Sequence, residues 1–209
     1  KKLVAVALFA AGIVAALAQE YSINVVGVGR QVYPAGYSMM AACYQTFSGS
    51  NTVGEVLANA PAGTIVYKFA GGAYELANVY EPWIEGDWSN PAQTLPPGQG
   101  YFVKSPCRWT NTFVGSMVTT STNSLISGWN MVGSVWPAAG NIDSVLQLVP
   151  TPGDMIYSFN NGVGYNVVNI YEPWAEGGWS YPPYLNVGQG VFYKSVGSKN
   201  WVQNFTLTP

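Results

Sequence analysis

Glu81 and Glu85 stand four residues apart in the segment Tyr80-Glu81-Pro82-Trp83-Ile84-Glu85-Gly86-Asp87-Trp88-Ser89. Glu172 and Glu176 stand at the same spacing in Tyr171-Glu172-Pro173-Trp174-Ala175-Glu176-Gly177-Gly178-Trp179-Ser180. Two carboxyl groups held about 5–9.5 Å apart can act as the paired acid and base of glycoside hydrolysis. Glu81, Glu85 and Asp87 also offer the hard oxygens that calcium takes, but Gly178 replaces Asp87 in the second segment, so such a site would be single. The simpler reading is structural: the glutamates recur together with Lys104 and Lys194, which suggests charge partners in each copy. The chain has no histidine, which removes Ser-His and Cys-His nucleophile pairs and the usual zinc ligand sets. Gly98-Gln99-Gly100 lacks the rest of any phosphate-cradling motif. The expectation is a protein that is not an enzyme, with no catalytic residues, metal or cofactor.

The aromatics are the better lead. Tyr80, Trp83 and Trp88, with Tyr171, Trp174 and Trp179, share their segments with Glu81, Glu85, Glu172 and Glu176. A flat ring beside hydrogen-bonding side chains holds a sugar face, the ring giving apolar contact and the polar groups orientation. These ten residues form the candidate ligand-binding set. The competing reading makes the rings a small core beneath a long loop.

The surroundings of the two segments repeat as well. Gly36-Tyr37-Ser38-Met39 returns as Gly128-Trp129-Asn130-Met131, Gly63 to Phe69 as Gly153 to Phe159, and Gly98 to Ser105 as Gly188 to Ser195. Val53 to Leu57 returns as Ile142 to Leu146, and Trp109 to Phe113 matches Trp201 to Phe205. The period is near 90 residues, longer than a solenoid repeat, so each copy is expected to be a domain with its own core. Phe113 to Val118 aligns with Val25 to Arg30 at the join, so one continuous strand could serve both copies without a flexible linker.

Lys1-Lys2, an apolar run from Leu3 to Leu17 and the small residues of Ala16-Leu17-Ala18 read as a secretory signal peptide over 1–18. As a helix the run would span about 22 Å, short of the roughly 30 Å hydrocarbon layer, and no later run is long enough to cross a membrane. The protein is expected to be secreted or at the cell surface, with the periplasm open. Loss of Lys1 and Lys2 takes the net charge from −2 to −4 and leaves no basic cluster, which argues against nucleic acid. Only 9% of residues are charged, so neighbouring molecules repel one another little. Cys43 and Cys107 would meet an oxidising compartment and could close a disulfide loop of roughly 65 residues, worth about 4 kcal/mol in the entropic model. Two unpaired thiols are the alternative.

Ile23 to Val28, Tyr37 to Tyr44 and Thr64 to Phe69 read as strands, the last with one buried face. Gly71-Gly72 is a hairpin turn, and Val53, Val56 and Leu57 mark a short helix. The expected fold is all-β with one short helix per repeat. It consists of two tandem duplicated small β-sandwich or β-barrel domains, over 19–115 and 116–209. A mature N-terminus that begins as an apolar strand can pair in its own sheet or be donated to a neighbour.

Gly-aromatic-x-Met, Gly-x-x-x-Tyr-x-Phe, a Trp-rich loop and Leu-x-x-Gly-Gln-Gly-x-Phe-x-Lys together resemble a group of exported tandem β-domain proteins of Gram-negative bacteria. The resemblance implies fold and export over the whole mature chain and carries no functional residue. The leading expectation is an exported, non-enzymatic structural protein that associates with itself in a fibre, layer or matrix. The alternative is a bivalent carbohydrate-binding module using the two Trp-rich loops.

Overall fold

The computed structural model describes residues 26–84, 87–174 and 178–206. The protein is nearly all β. Its first half contains β1 (Val26–Tyr33), β2 (Gly36–Ala41), a single helical turn α1 (Val53–Val56), β3 (Ile65–Ala70), β4 (Ala73–Tyr74), β5 (Asn78–Val79), β6 (Gly100–Ser105) and β7 (Trp109–Ser116). The second contains β8 (Thr120–Leu125), β9 (Gly128–Gly133), β10 (Gly140–Asn141), β11 (Met155–Tyr157), β12 (Phe159–Asn160), β13 (Gly164–Tyr165), β14 (Asn169–Ile170), β15 (Tyr184–Leu185), β16 (Gly190–Ser195) and β17 (Lys199–Asn204).

All named pairings are antiparallel, and the main sheets of the two halves follow matching strand orders. In the first, the β1–β7 ribbon faces a sheet ordered β2-β6-β3, with β4 and β5 also paired to β3. In the second, the β8–β17 ribbon accompanies a sheet ordered β14-β11-β16-β9. Tyr33 and Phe113 of the first ribbon meet Val66, Tyr101 and Val103 of the sheet in one apolar core, which also takes in Val53, Val56, Leu57 and Trp88. Ile142, Leu146, Ile156, Trp179, Tyr193 and Trp201 belong to the second core.

A third apolar cluster belongs to both halves. Met39, Phe69 and Phe102 of the first pack with Met131 and Phe192 of the second. The expectation of one buried face on β3 is therefore incomplete. Val66 faces the core of its own half, and Tyr67 and Phe69, on the alternate face, lie against the other half. The same chain crossing occurs on both sides of this seam. The Ala41 amide donates to the Gly188 carbonyl at 2.9 Å, and the Gly133 amide donates to the Gly98 carbonyl at 3.0 Å. Gly-Gln-Gly is the motif that makes the crossing. A Cβ on Gly100 would stand 2.7 Å from the Val132 nitrogen, and one on Gly190 would stand 2.6 Å from the Met40 carbonyl oxygen. Only glycine admits so close an approach of two backbones. The Gln99 side-chain amide then ties the halves together, donating to the carbonyls of Phe69 at 2.8 Å and Met131 at 3.2 Å.

Several local expectations need correction. Among the described residues the helix occurs once. Glu55 accepts from the Thr52 amide at 3.0 Å at the start of α1. The corresponding second-half position is Ser144, which cannot reach back in this way, and residues 142–146 form turns. Of the two expectations for the first strand, pairing in its own sheet is the one seen within the chain: Val26–Tyr33 pairs along its length with Trp109–Ser116, while Ile23 to Val25 lie outside the described residues. Phe113 to Val118 is not one continuous strand serving both halves: β7 ends at Ser116, and the second-half counterpart of β1 is β8, which begins at Thr120 and pairs with β17.

The ladders also revise one sequence match. Tyr33 pairs with Trp109, and Leu125, which corresponds to Tyr33, pairs with Lys199. Trp201 thus occupies the place of Asn111, two residues along from Trp109. The shared role is visible in bonding: Asn111 Nδ2 donates to the Val56 carbonyl at 2.7 Å, and Trp201 Nε1 donates to the Leu146 carbonyl at 2.7 Å.

Cys43 and Cys107 are both free, against the expected disulfide. The register explains why. Gly36 pairs with Ser105 and Ala41 with Gly100, so Cys107 lies beyond one end of β2 and Cys43 beyond the other. Six strand residues span about 17 Å, and a disulfide needs Cα atoms within about 7 Å. Cys43 is buried in the first core, and burial pushes its thiol up to about 12, whereas Cys107 is exposed on the β6–β7 turn. A thiol reagent is expected to modify Cys107 at once in the native protein and Cys43 only after unfolding. Two protected thiols that appear only after reduction would contradict this arrangement.

Candidate functional site

The two Trp-rich loops hang from the ends of β5 and β14, and a polar clamp fixes each. Asn78 is fully buried and donates from Nδ2 to the Asn90 carbonyl at 2.8 Å, and its Oδ1 accepts from the Asn90 amide at 2.8 Å. Asn169 does the same work on Tyr181, donating to its carbonyl at 2.6 Å and accepting from its amide at 3.2 Å. Sequence reasoning missed these asparagines, although each sits at the same place relative to its Tyr-Glu-Pro-Trp.

Within the loops the candidate residues divide. Tyr80 and Trp88 come together with ring centroids 5.1 Å apart, and Tyr171 and Trp179 with centroids 5.2 Å apart. Trp88 and Trp179 are buried in the two cores, so for them the packing reading holds. Trp83 and Trp174 are the reverse, 72% and 75% exposed. The amide of Glu81 donates to the Asp87 carbonyl at 2.6 Å, and that of Glu172 donates to the Gly178 carbonyl, which closes each loop. Asp87 and Gly178 both have positive φ, +61° and +75°. They share a left-handed backbone role, so Asp87 needs no ligand to account for its position. Glu85 and Glu176 lie outside the described residues. Lys104 and Lys194 pack over the rings of Tyr37 and Trp129, and a charge pair of either with Glu85 or Glu176 would lie outside the described residues. The ion pairs among the described residues are Lys68 with Glu75 and Lys199 with Asp154.

The larger feature lies at the seam. Two open clefts adjoin there, of about 360 and 510 Å³. Tyr37, Tyr67 and Phe102 wall the first, with Phe159 entering from the other half. Trp129, Tyr157 and Phe192 wall the second, with Phe69 entering from the first half. These are corresponding positions with one exchange of Tyr for Trp. Neither cleft can be built from one half alone. The hairpins β3–β4 and β12–β13 carry the crossing rings. Phe69 lies edge-on to Phe192 with centroids 5.1 Å apart, and Phe159 edge-on to Phe102 with centroids 5.0 Å apart. Asn161 pins the second hairpin, accepting from the Tyr37 amide at 3.2 Å and donating to the Ala35 carbonyl.

Tyr74 lines both clefts, and Tyr165 lines the second beside it. Burial, then the approach of Tyr165, pushes Tyr74 up to about 12, so it stays a neutral hydroxyl at ordinary pH. The Tyr67 hydroxyl is likewise pushed up, by burial and then by Tyr37. At the outer wall Lys104, cross-strand from Tyr37, holds Nζ 5.6 Å from that ring's centroid. Lys194, cross-strand from Trp129, holds Nζ 5.5 Å from the indole. The concave surface thus combines buried Phe rings with partly exposed Tyr37, Trp129 and Tyr74 and neutral hydroxyls, and the two ammonium groups lie beside it against its outer rings. It can stack flat apolar faces and donate hydrogen bonds to acceptors.

The signal for this site is present in the sequence as Tyr37/Trp129, Tyr67/Tyr157, Tyr74/Tyr165 and Phe102/Phe192, all repeated. Nothing in a strand's alternation distinguishes a face turned to its own core from one turned to a neighbour. No protein-family model, curated protein or solved structure matches the chain.

Proposed function

We propose that this is an exported, non-enzymatic binding protein whose ligand is a polysaccharide held in the twin aromatic cleft. One observation carries the reading: the same set of rings is assembled twice, side by side, at a surface each half must help to complete. A doubled concave site of half-exposed aromatics suits a ligand that repeats, and sugar rings offer flat apolar faces at regular intervals. The binding alternative thus moves from the Trp loops, where two of the four tryptophans are core, to the seam. Retention on immobilised polysaccharides tests it. The Tyr37→Ala/Trp129→Ala double variant is expected to lose retention with its melting temperature little changed, since both side chains are 39% exposed. Trp83→Ala/Trp174→Ala is expected to keep it. A wild-type protein that no polysaccharide retains would sink the proposal.

Self-association in a surface assembly remains the second reading, favoured by one surface. Val26, Val28 and Val32 point outward from β1, and Val28 pairs with outward Val114 of β7. The matching ribbon in the second half presents Thr120, Thr122 and Ser124. An apolar, exposed ribbon at a free sheet edge is a site where strands of neighbouring copies can meet. A constant mass by light scattering across a concentration series would reject this reading.

A further inference from the structure

The polysaccharide reading can be sharpened from the charges around the clefts. We infer that the seam selects an anionic, carboxylated polysaccharide, with Lys104 and Lys194 holding carboxylates while the neighbouring rings take sugar faces. This inference rests on the reading just proposed and adds the ligand's charge.

The placement of the two lysines is the first reason. Each lies directly across the strand pair from the outermost ring of its cleft, on the face that carries Phe102 or Phe192 two residues earlier. Each ammonium therefore stands at the rim of an aromatic pocket, where a charge on a stacked ligand would arrive. Both side chains are exposed, so their donors are open to a ligand. The remaining charges point the same way. Beyond Lys1 and Lys2 the chain has six basic residues. Lys68 and Lys199 are committed to Glu75 and Asp154. Arg30 lies on the outer ribbon and Arg108 just before β7, leaving Lys104 and Lys194 as the two that border the seam.

The second reason is what the walls lack. Among the described residues lining the two aromatic clefts there is no aspartate or glutamate; they are Tyr, Phe, Trp, Gly and Asn. Carboxylates are the side chains that accept hydrogen bonds without being able to donate. A neutral sugar, whose hydroxyls donate as well as accept, gains from such acceptors. A surface of hydroxyls and ammonium groups is matched instead by a ligand rich in acceptors, and a carboxylate is the strongest of these. The protein as a whole is acidic, so a positive field from the rest of the surface is no substitute for these two groups.

The test is calorimetric titration of the full protein with alginate or polygalacturonate oligomers, set beside neutral cello- and malto-oligosaccharides. Uronate oligomers are expected to bind, and to bind more weakly as salt is raised, because exposed charge contacts are screened. Lys104→Gln and Lys194→Gln are each expected to weaken uronate binding roughly tenfold and any neutral-sugar binding by clearly less. Both lysines are exposed, and an unchanged melting temperature verifies that each variant keeps its fold. Equal affinity for neutral and uronate oligomers, or uronate binding indifferent to both lysine substitutions, overturns the charge inference and leaves the polysaccharide reading standing. Failure of both sugar classes overturns that reading as well, as does capture of a proline-rich peptide in their place, since such peptides also lie in aromatic grooves.

Discussion

Replacing Asp154 by Asn is expected to cost about 3 kcal/mol of stability and to flatten the protein's acid unfolding. Asp154 is fully buried at the turn before β11. Its Oδ1 accepts from the Val196 amide at 2.8 Å, and its Oδ2 accepts from the Thr151 amide at 2.7 Å, the Tyr193 hydroxyl and the Lys199 ammonium. Burial by itself pushes the carboxyl up, but the bonds from Lys199, Tyr193 and the two amides outweigh it and hold the carboxyl below its usual range. A carboxyl lowered by folding stabilises the protein above its unfolded value of about 3.9, and that contribution is lost as pH falls through the lower folded value. Asn keeps the shape and one acceptor but removes the charge, leaving Lys199 and Tyr193 short of a partner. The cost is placed at the low end for a broken buried pair because Lys199 is near the surface and can turn toward water. Denaturant unfolding at pH 7 and pH 3 checks both parts. The variant should be weaker at pH 7 and lose less than the wild type between the two. An equal pH dependence in both proteins would show that Asp154 does not carry it. The first half has Thr64 at the corresponding turn, bonded to the Pro61 carbonyl at 2.7 Å, so this dependence is expected to belong to the second half.

Phe192→Ala is expected to be the costliest substitution at the seam, about 3–5 kcal/mol, as for other buried Phe-to-Ala truncations. Phe192 is nearly buried and touches rings from both halves, Phe69 and Tyr74 of the first and Trp129 of the second. Removing it opens a void among aromatics that hydrogen-bonded hairpins hold in place, so the walls cannot collapse fully. The loss also loosens the contact that couples two otherwise separate cores. The wild-type protein is expected to melt in one transition, and the variant to melt lower and over a broader or divided range. Tyr37→Ala, at the rim, should cost far less, because its ring already meets water. Scanning calorimetry of the three proteins distinguishes these outcomes. A Phe192→Ala protein within 1 kcal/mol of wild type, on the order of a surface substitution, would mean that the seam contributes little to holding the halves together.

Much of the architecture is legible in strand periodicity and turn chemistry. Gly71-Gly72 predicts a two-residue hairpin, and the chain turns there with φ of +60° and +84° between paired Ala70 and Ala73. Gly-aromatic-x-Met and Gly-Gln-Gly-x-Phe-x-Lys each mark a strand, and the strands they mark pair with each other in both halves. The site was less legible. Trp83 and Trp88 are close neighbours of one composition, yet one is mostly exposed and the other 3% exposed. Their segment contains no regular alternation to separate them, and only the fold of the loop decides which ring turns inward.

By itself the sequence determines an all-β chain, the repeated aromatic positions and the glycine turns, because these follow from side-chain shape and local backbone freedom. Tertiary structure alone decides three things. It sets the place of Trp201, because a shift of two residues along a strand leaves the same face inward and so leaves no trace in the alternation. It keeps Cys43 and Cys107 apart, because β2 lies between them whatever the spacing in the chain. And it places Tyr67, Phe102 and their second-half counterparts at the seam between the halves, where they wall the clefts, rather than in the core of one half, because an alternating strand records which residues share a face, and only the packing of one half on the other records what that face meets.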